Sequence, residues 1–268
     1  MLELYQFEFS AYCEKVRFVL DYKNLPYRKV EVTPGAGQLE VFRLSGQRQV
    51  PVLKDGVQVI ADSTAILKYL ESHYPDRPLL PTTPKERGLT LAMEAWADTS
   101  IGPNGRTALL LALQNDPDYR TALLPEGTPD FLKSVLSAIP GEAISLLSVG
   151  VGATPDVVAK AKEAIEQDLD ALCAILSTQP YLTGTEPTLA DFAVAAMSHY
   201  IKVPDGPYLD VPVGLRGRGI PGVVDNPAFA AFFDWRDRLY QEFRKPLSGG
   251  SAGSSGAASD GPTTINID

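Results

Sequence analysis

An α/β domain followed by an all-helical one is the fold class predicted by this sequence of 268 residues. Three observations lead there. Strand-like and helix-like periodicities alternate through the first 75 or so residues. Prolines then recur at Pro75, Pro78, Pro81 and Pro84. Beyond them helical spacing dominates and strand patterns become scarce.

Residues 2–7 alternate as a strand does, and Tyr12, Val16, Val19 and Leu20 then fall at helical spacing up to Pro26. Residues 27–32 alternate again. Pro34-Gly35-Ala36-Gly37 turns into a short helical stretch ending at Gly46. Val50–Leu53 and Val57–Ile60, joined at Asp55-Gly56, read as a hairpin. Residues 63–73 place Ile66, Leu67 and Leu70 on one helix face. The predicted order is β-α-β-α-β-β-α.

A proline every three residues blocks helix and strand alike, so residues 75–85 read as a linker. Two later runs carry helical spacing: Val158 to Leu176, and Leu189 through Met197 to Tyr200. Residues 115–155 are expected to be helices broken by loops, and residues 227–243 a last aromatic-rich helix. The remaining 21 residues are rich in Gly and Ser and cannot bury a core, so they read as a disordered tail. The domains are therefore 1–76, a linker at 77–86, a helical domain at 87–247 and the tail at 248–268. No internal repeat is visible.

Composition narrows the class. Hydrophobic residues make up 44% and charged residues 21%, as in a water-soluble globular chain. No apolar stretch approaches the roughly 20 residues that span a bilayer, so no membrane partner is expected. The acidic, alternating start lacks the features of a signal peptide, and a cytoplasmic location is expected. A net charge of −9 without a basic cluster disfavours a nucleic acid partner. Two cysteines, Cys13 and Cys173, and two histidines, His73 and His199, are too few for a disulfide scaffold or an obvious zinc site.

Three local features of the first domain bear on chemistry. Ser10 stands where a strand ends and a helix begins. A helix N-terminus favours an anion, and a hydroxyl there can donate to a thiolate. An ordinary thiol is only about 3% ionised at pH 7, so such stabilisation would create a nucleophile. Taken alone, Ser10 is simply a helix cap. Val50–Pro51 opens a strand. A cis bond there would free the Val50 backbone to pair with an extended peptide, although only about 5–6% of such bonds are cis. Asp62-Ser63 starts a helix and could hold an ammonium and a carboxylate side by side, or again merely cap it.

In order and spacing these features resemble the glutathione transferase family over nearly the whole folded length. SAYCEKVR is similar to the serine-type active-site segment of theta- and delta-like enzymes. QVPVL followed by ADSTAILKYL resembles the family's cis-proline strand and acidic-Ser clamp. TLADFAVAAM, with Thr188 and Asp191, resembles the capping box of a central helix in the family's second domain. The chain is also similar to the bacterial chi class.

The resemblance implies a thioredoxin-like first domain that binds glutathione as co-substrate, with no cofactor and no metal. Ser10 takes the activating position. Arg48 faces the glycine end, Val50 the cysteinyl backbone, and Asp62 and Ser63 the γ-glutamyl end. Asp62 is one methylene shorter than the usual Glu, and Thr64 stands where delta enzymes often have Arg. Phe9 and Tyr12 from the first domain, with Trp96 and Arg106 from the second, are candidates for the second-substrate pocket. Phe232 and Trp235 are expected to pack.

Two rivals to Ser10 are weighed. Tyr5 lies in the first strand, but Gln6 rather than Tyr5 falls on the tyrosine-type position. Cys13 would serve a thiol-disulfide oxidoreductase, yet it occupies the resolving rather than the nucleophilic position and reads as structural. Cys173 reads as core. The expected function is conjugation of glutathione to small electrophilic apolar substrates, isothiocyanates being implied by the chi resemblance, in a detoxifying cytoplasmic homodimer. The alternatives are glutathione-dependent thiol-disulfide or dehalogenase chemistry, or a non-catalytic ligand-binding protein.

Overall fold

A computed structural model describes residues 1–33, 36–122, 129–141, 143 and 153–247. The Pro34-Gly35 part of the expected turn, portions of the 115–155 region and the tail at 248–268 lie outside the described residues.

The first unit is a four-stranded sheet, with strands β1 (Leu2–Gln6), β2 (Tyr27–Glu31), β3 (Val52–Asp55) and β4 (Gln58–Ala61) in the spatial order β2-β1-β3-β4. β1 and β2 run parallel, which requires a crossover, and helix α1 (Ala11–Tyr22) supplies it. β3 and β4 pair antiparallel through the turn at Gly56, whose φ of 58° suits glycine. Strand alternation decides what covers each face. Leu2, Leu4 and Leu53 pack with Val16, Val19 and Leu20 of α1 and with Ile66, Leu67 and Leu70 of α3 (Ser63–His73). Tyr5 and Val52, which face each other in register, pack with Val32 and with Val41 of α2 (Ala36–Ser45) on the opposite face.

The β-α-β-α-β-β-α order is thus the thioredoxin-like one. The hairpin sits slightly later than the periodicity suggests. Pro51 has no N–H to give a ladder, so pairing starts at Val52. Pro84, counted with the linker by its spacing, instead opens α4 (Pro84–Trp96). A proline that breaks a helix interior is favoured in the first turn, where its N–H has no partner to lose.

The second unit is helical. α4 runs through a π-turn at Ala97–Ile101 into α5 (Gly102–Asn115). α6 (Pro117–Ala122), α7 (Asp130–Ala138), α8 (Pro155–Leu176), α9 (Leu189–Met197) and α10 (Ala230–Phe243) follow. α9 is buried on every side, as a sequence apolar but for Asp191 requires. Its start is a capping box. Asp191 accepts from the Thr188 N–H at 2.8 Å and the Leu182 N–H at 2.7 Å, and burial nonetheless lifts its carboxyl to about 6. Among the described residues no helix is long and apolar enough to cross a membrane.

The two units share a core, and buried charges cross between them. Lys15 on α1, fully buried, pairs with Glu94 of α4 at 2.7 Å and with Asp98 of the π-turn at 2.6 Å. Thr64 of α3 donates to Glu94 at 2.6 Å. On another side of α1, Glu14 meets Arg17 and, at 2.9 Å, Arg244, which follows α10. The two guanidiniums hold the buried Glu14 carboxyl down at about 2. His199 lies close by, its Nε2 3.2 Å from the Phe9 carbonyl, and burial depresses it to about 4.

Both shifts have the same consequence for stability. Each group binds protons more readily unfolded than folded, so the fold loses stability as pH falls. His199 contributes between its ordinary value of 6.5 and about 4. Glu14 contributes from 4.5 down to about 2. Asp191, lifted from 3.8 to about 6, contributes with the opposite sign over nearly the same range, so the His199 contribution is read by difference. Between pH 6.5 and 4 the urea midpoint of His199→Asn should fall less, or rise more, than that of the wild type, and below 4 the two should change in parallel.

Candidate functional site

Ser10 is the N-cap of α1. Its backbone is extended (φ −87°, ψ 119°), and its hydroxyl oxygen accepts from the Cys13 N–H at 3.4 Å. Accepting uses a lone pair and leaves the hydroxyl proton for a partner. Ser10 borders a cavity of about 700 Å³ at the C-terminal end of β1.

The other predicted glutathione-side residues border the same cavity. Val50 and Pro51 enter from the loop before β3, and the bond between them is cis. Val50 stands two residues ahead of the β3 ladder, and among the described residues no neighbour takes its N–H or C=O. Asp62 and Ser63 enter from the start of α3. Asp62 caps that helix by accepting from the Ala65 N–H at 2.9 Å, and its φ of 77° is in the region that favours glycine. Such backbone strain costs of order 1–3 kcal/mol and collects at functional sites. Asp62 is exposed, while Ser63 is buried at the helix start. Arg48 is exposed at the rim, its guanidinium 5.7 Å from the Phe42 ring.

The four second-substrate candidates divide. Tyr12 and Arg106 border the cavity. Tyr12 donates from its hydroxyl to the Asp98 carbonyl at 3.0 Å, tying the first domain to the π-turn. Phe9 and Trp96 do not border it. Phe9 lies one layer behind, 4.9 Å from the His199 ring and 5.8 Å from that of Tyr200. Trp96, at the end of α4, packs against the shared core and hydrogen-bonds Asp168 of α8. Its place near the linker suggests a pocket residue, but its helix face turns it inward. Phe232 and Trp235 are core, as expected.

Neither rival to Ser10 reaches the cavity. Tyr5 packs beneath α2, and burial raises its phenol. Cys13 is fully buried on the inner face of α1, where desolvation pushes its thiol up to about 11 against the pull of Arg17 and the Ser10 hydroxyl. Its thiolate is scarce at neutral pH and out of reach of a disulfide. Cys173 is only half-buried on α8, packed against the core rather than within it. No cluster of His, Cys, Asp and Glu among the described residues could hold a metal ion.

Tyr200 borders the cavity too, and its hydroxyl accepts from the Ala11 N–H at 3.2 Å. By spacing it is one more apolar position on a helix. Nothing local marks it, since its partner is 189 residues away. Gln47 and Gln49, either side of Arg48, also line the site and carry no motif of their own.

Residues 4–78 match the model of the glutathione S-transferase N-terminal domain, and residues 155–238 match that of the glutathione S-transferase C-terminal domain. Together these matches span more than half of the chain. The chain belongs to the glutathione S-transferase family. It is 35% identical over 112 residues to a zeta-class glutathione S-transferase of Euphorbia esula, covering 41% of this chain and 50% of that one. It is 32% identical over 112 residues to a maleylpyruvate isomerase of a Ralstonia species, covering 41% and 53%. The chain spans about half the length of the curated relatives it matches. Apo human glutathione S-transferase T1-1 shares the fold at a TM-score of 0.58 and 22% identity, over 90% of this chain and 83% of that one.

Within this transferase fold, burial sets the reactivity of the thiols. Cys13 should resist a thiol reagent in the native protein and react only on denaturation.

Proposed function

We propose that the protein conjugates glutathione, as its thiolate, to small electrophiles. The observation that carries this reading is convergence: Ser10, Val50–Pro51 and Asp62-Ser63, separated along the chain, border one cavity. Each supplies a different match to one tripeptide. The exposed Asp62 carboxylate suits the γ-glutamyl ammonium, and the buried Ser63 hydroxyl its carboxylate. The unspent Val50 backbone suits strand-like pairing with the cysteinyl residue. The Arg48 guanidinium suits the terminal carboxylate. The bound thiol then lies by Ser10 and the positive end of α1, which lowers its pKa and raises the thiolate fraction. The thiolate attacks the electrophilic carbon, and holding both reactants in one cavity supplies much of the remaining acceleration.

The burial of Cys13 favours conjugation over thiol-disulfide exchange. Family resemblance supports a cytoplasmic homodimer and isothiocyanates among the substrates. A second observation refines the electrophile. Arg106 is exposed in the cavity, and among the described residues no carboxylate pairs with it. A guanidinium so placed favours electrophiles that carry a negative charge over purely apolar ones.

Calorimetry should detect glutathione binding at millimolar or lower concentration, and its absence would point to a ligand-binding protein without this chemistry. Ser10→Ala should lower conjugation of an aryl halide or isothiocyanate by about tenfold to a hundredfold, while glutathione affinity changes little. A loss under threefold would remove Ser10 from the mechanism. Arg106→Leu should slow a carboxylate-bearing aryl halide about tenfold more than its uncharged analogue.

A further inference from the structure

We propose that Tyr200 is a second hydroxyl donor to the glutathione thiolate, reaching the site from the helical domain opposite Ser10. The proposal rests on reading the cavity as the glutathione site.

Two hydroxyl groups meet the first turn of α1. Ser10 Oγ accepts from the Cys13 N–H at 3.4 Å, and Tyr200 Oη accepts from the Ala11 N–H at 3.2 Å. Both residues border the cavity. The Ala11 N–H would ordinarily be open to an anion at the helix start. Here a protein oxygen takes it. What the phenol offers in return is its own proton, for which no acceptor exists among the described residues. Accepting from a donor at the positive end of a helix polarises the O–H and makes it a better donor.

The surroundings hold Tyr200 in place and protonated. Its ring packs on His199 at 4.6 Å and on Phe9 at 5.8 Å. Behind it α5 approaches closely at Gly105, where a Cβ would stand 3.3 Å from the Tyr200 Cβ. Burial raises the phenol above its ordinary value, so it carries its proton throughout the neutral range, while Arg106 and the Ala11 N–H only temper that shift. Cys13 and Tyr12 of α1 also face it, and both push the phenol in the same direction as burial does. His199 is neutral, since burial depresses it to about 4. Of the hydroxyl residues that border the cavity, Ser10 and Tyr200, one from each domain, have their oxygens fixed by the same helix turn. A thiolate, with several lone pairs and a large radius, can accept from both. The thiol's proton leaves to bulk water. Tyr200 keeps its own and takes no part in bond making.

The test is a pH titration of enzyme-bound glutathione by thiolate ultraviolet absorbance, in the wild type, Tyr200→Phe, Ser10→Ala and the double variant. Tyr200→Phe removes the hydroxyl and keeps the ring packing. It should raise the apparent pKa of the bound thiol by about one unit. Glutathione affinity well below that pKa should change less than about twofold, because the thiol is then neutral. The double variant should lie above either single one. A purely structural cap predicts the opposite sign, since losing it frees the Ala11 N–H for the thiolate. An unchanged or lowered pKa in a Tyr200→Phe protein that binds glutathione normally overturns the proposal and leaves the conjugation reading intact. The proposal falls equally if the variant slows only electrophiles that develop an oxyanion. Failure of the wild type to bind glutathione overturns both. Should Tyr200→Phe fold poorly, a fluorotyrosine at position 200 keeps the hydroxyl and makes it more acidic. The thiol pKa should then fall, and a rise would sink the proposal.

Discussion

The N-terminal turn of α1 is the point from which the site is organised, and it is held there by buried charge. Glu14, Lys15 and Arg17, nearly consecutive on one helix, are all fully buried. Burying a charge costs several kcal/mol unless it is paired and hydrogen-bonded, so each demands a partner at fixed distance. Lys15 finds Glu94 and Asp98, Glu14 finds Arg244, and Arg17 also reaches Glu8 at 2.9 Å. These partners come from the loop after β1, from the linker-following helix and from the end of the folded chain. Apolar packing alone would let α1 slide along its axis at modest cost. Four directional pairs remove that freedom, which a site depending on a few tenths of an ångström at a helix end requires.

The π-turn at Ala97–Ile101 fits the same logic. It widens the helix at the place where Asp98 must face Lys15 while its carbonyl faces Tyr12. Pro103, one residue inside α5, removes an N–H from the helix that follows. Gly102 lets this segment lie against Met197, whose sulfur would be 2.8 Å from an added Cβ. The helical domain thereby brings Arg106 and Tyr200 to a cavity whose other wall is built from the sheet.

Legibility in the sequence follows the range of the interactions. The sheet, α1, α3 and the capping box at Thr188 are readable because their signals are local: alternation, spacing of three and four, and a cap with its partner three residues on. Ser10, Val50, Asp62 and Ser63 are readable as candidates for the same reason, although each alone is indistinguishable from a turn or cap. Pro84 is misplaced by its spacing because one residue type both ends helices and begins them, and only the chain beyond decides which. Trp96 is misplaced because position near the linker says nothing about which way a helix face turns. Tyr200 and Arg244 cannot be read at all. Their partners at Ala11 and Glu14 are 189 and 230 residues away, and neither end of either pair carries a mark.

The pairing of Arg244 with Glu14 and Asp21 also bears on how the chain acquires its structure as it is made. The thioredoxin-like unit is synthesised first and has its own sheet and its own core. Yet until Arg244 is added, near the end of the described chain, Glu14 lacks one of its cations and Asp21 the cation it pairs with, and until α4 and the π-turn are added Lys15 lacks both its anions. A nascent first domain must therefore leave α1 loose, keep those groups hydrated, or close around unpaired charge. The unit that builds most of the cavity wall shares its buried ion pairs with the last helix, so the two halves are expected to unfold as one cooperative body rather than as separable modules.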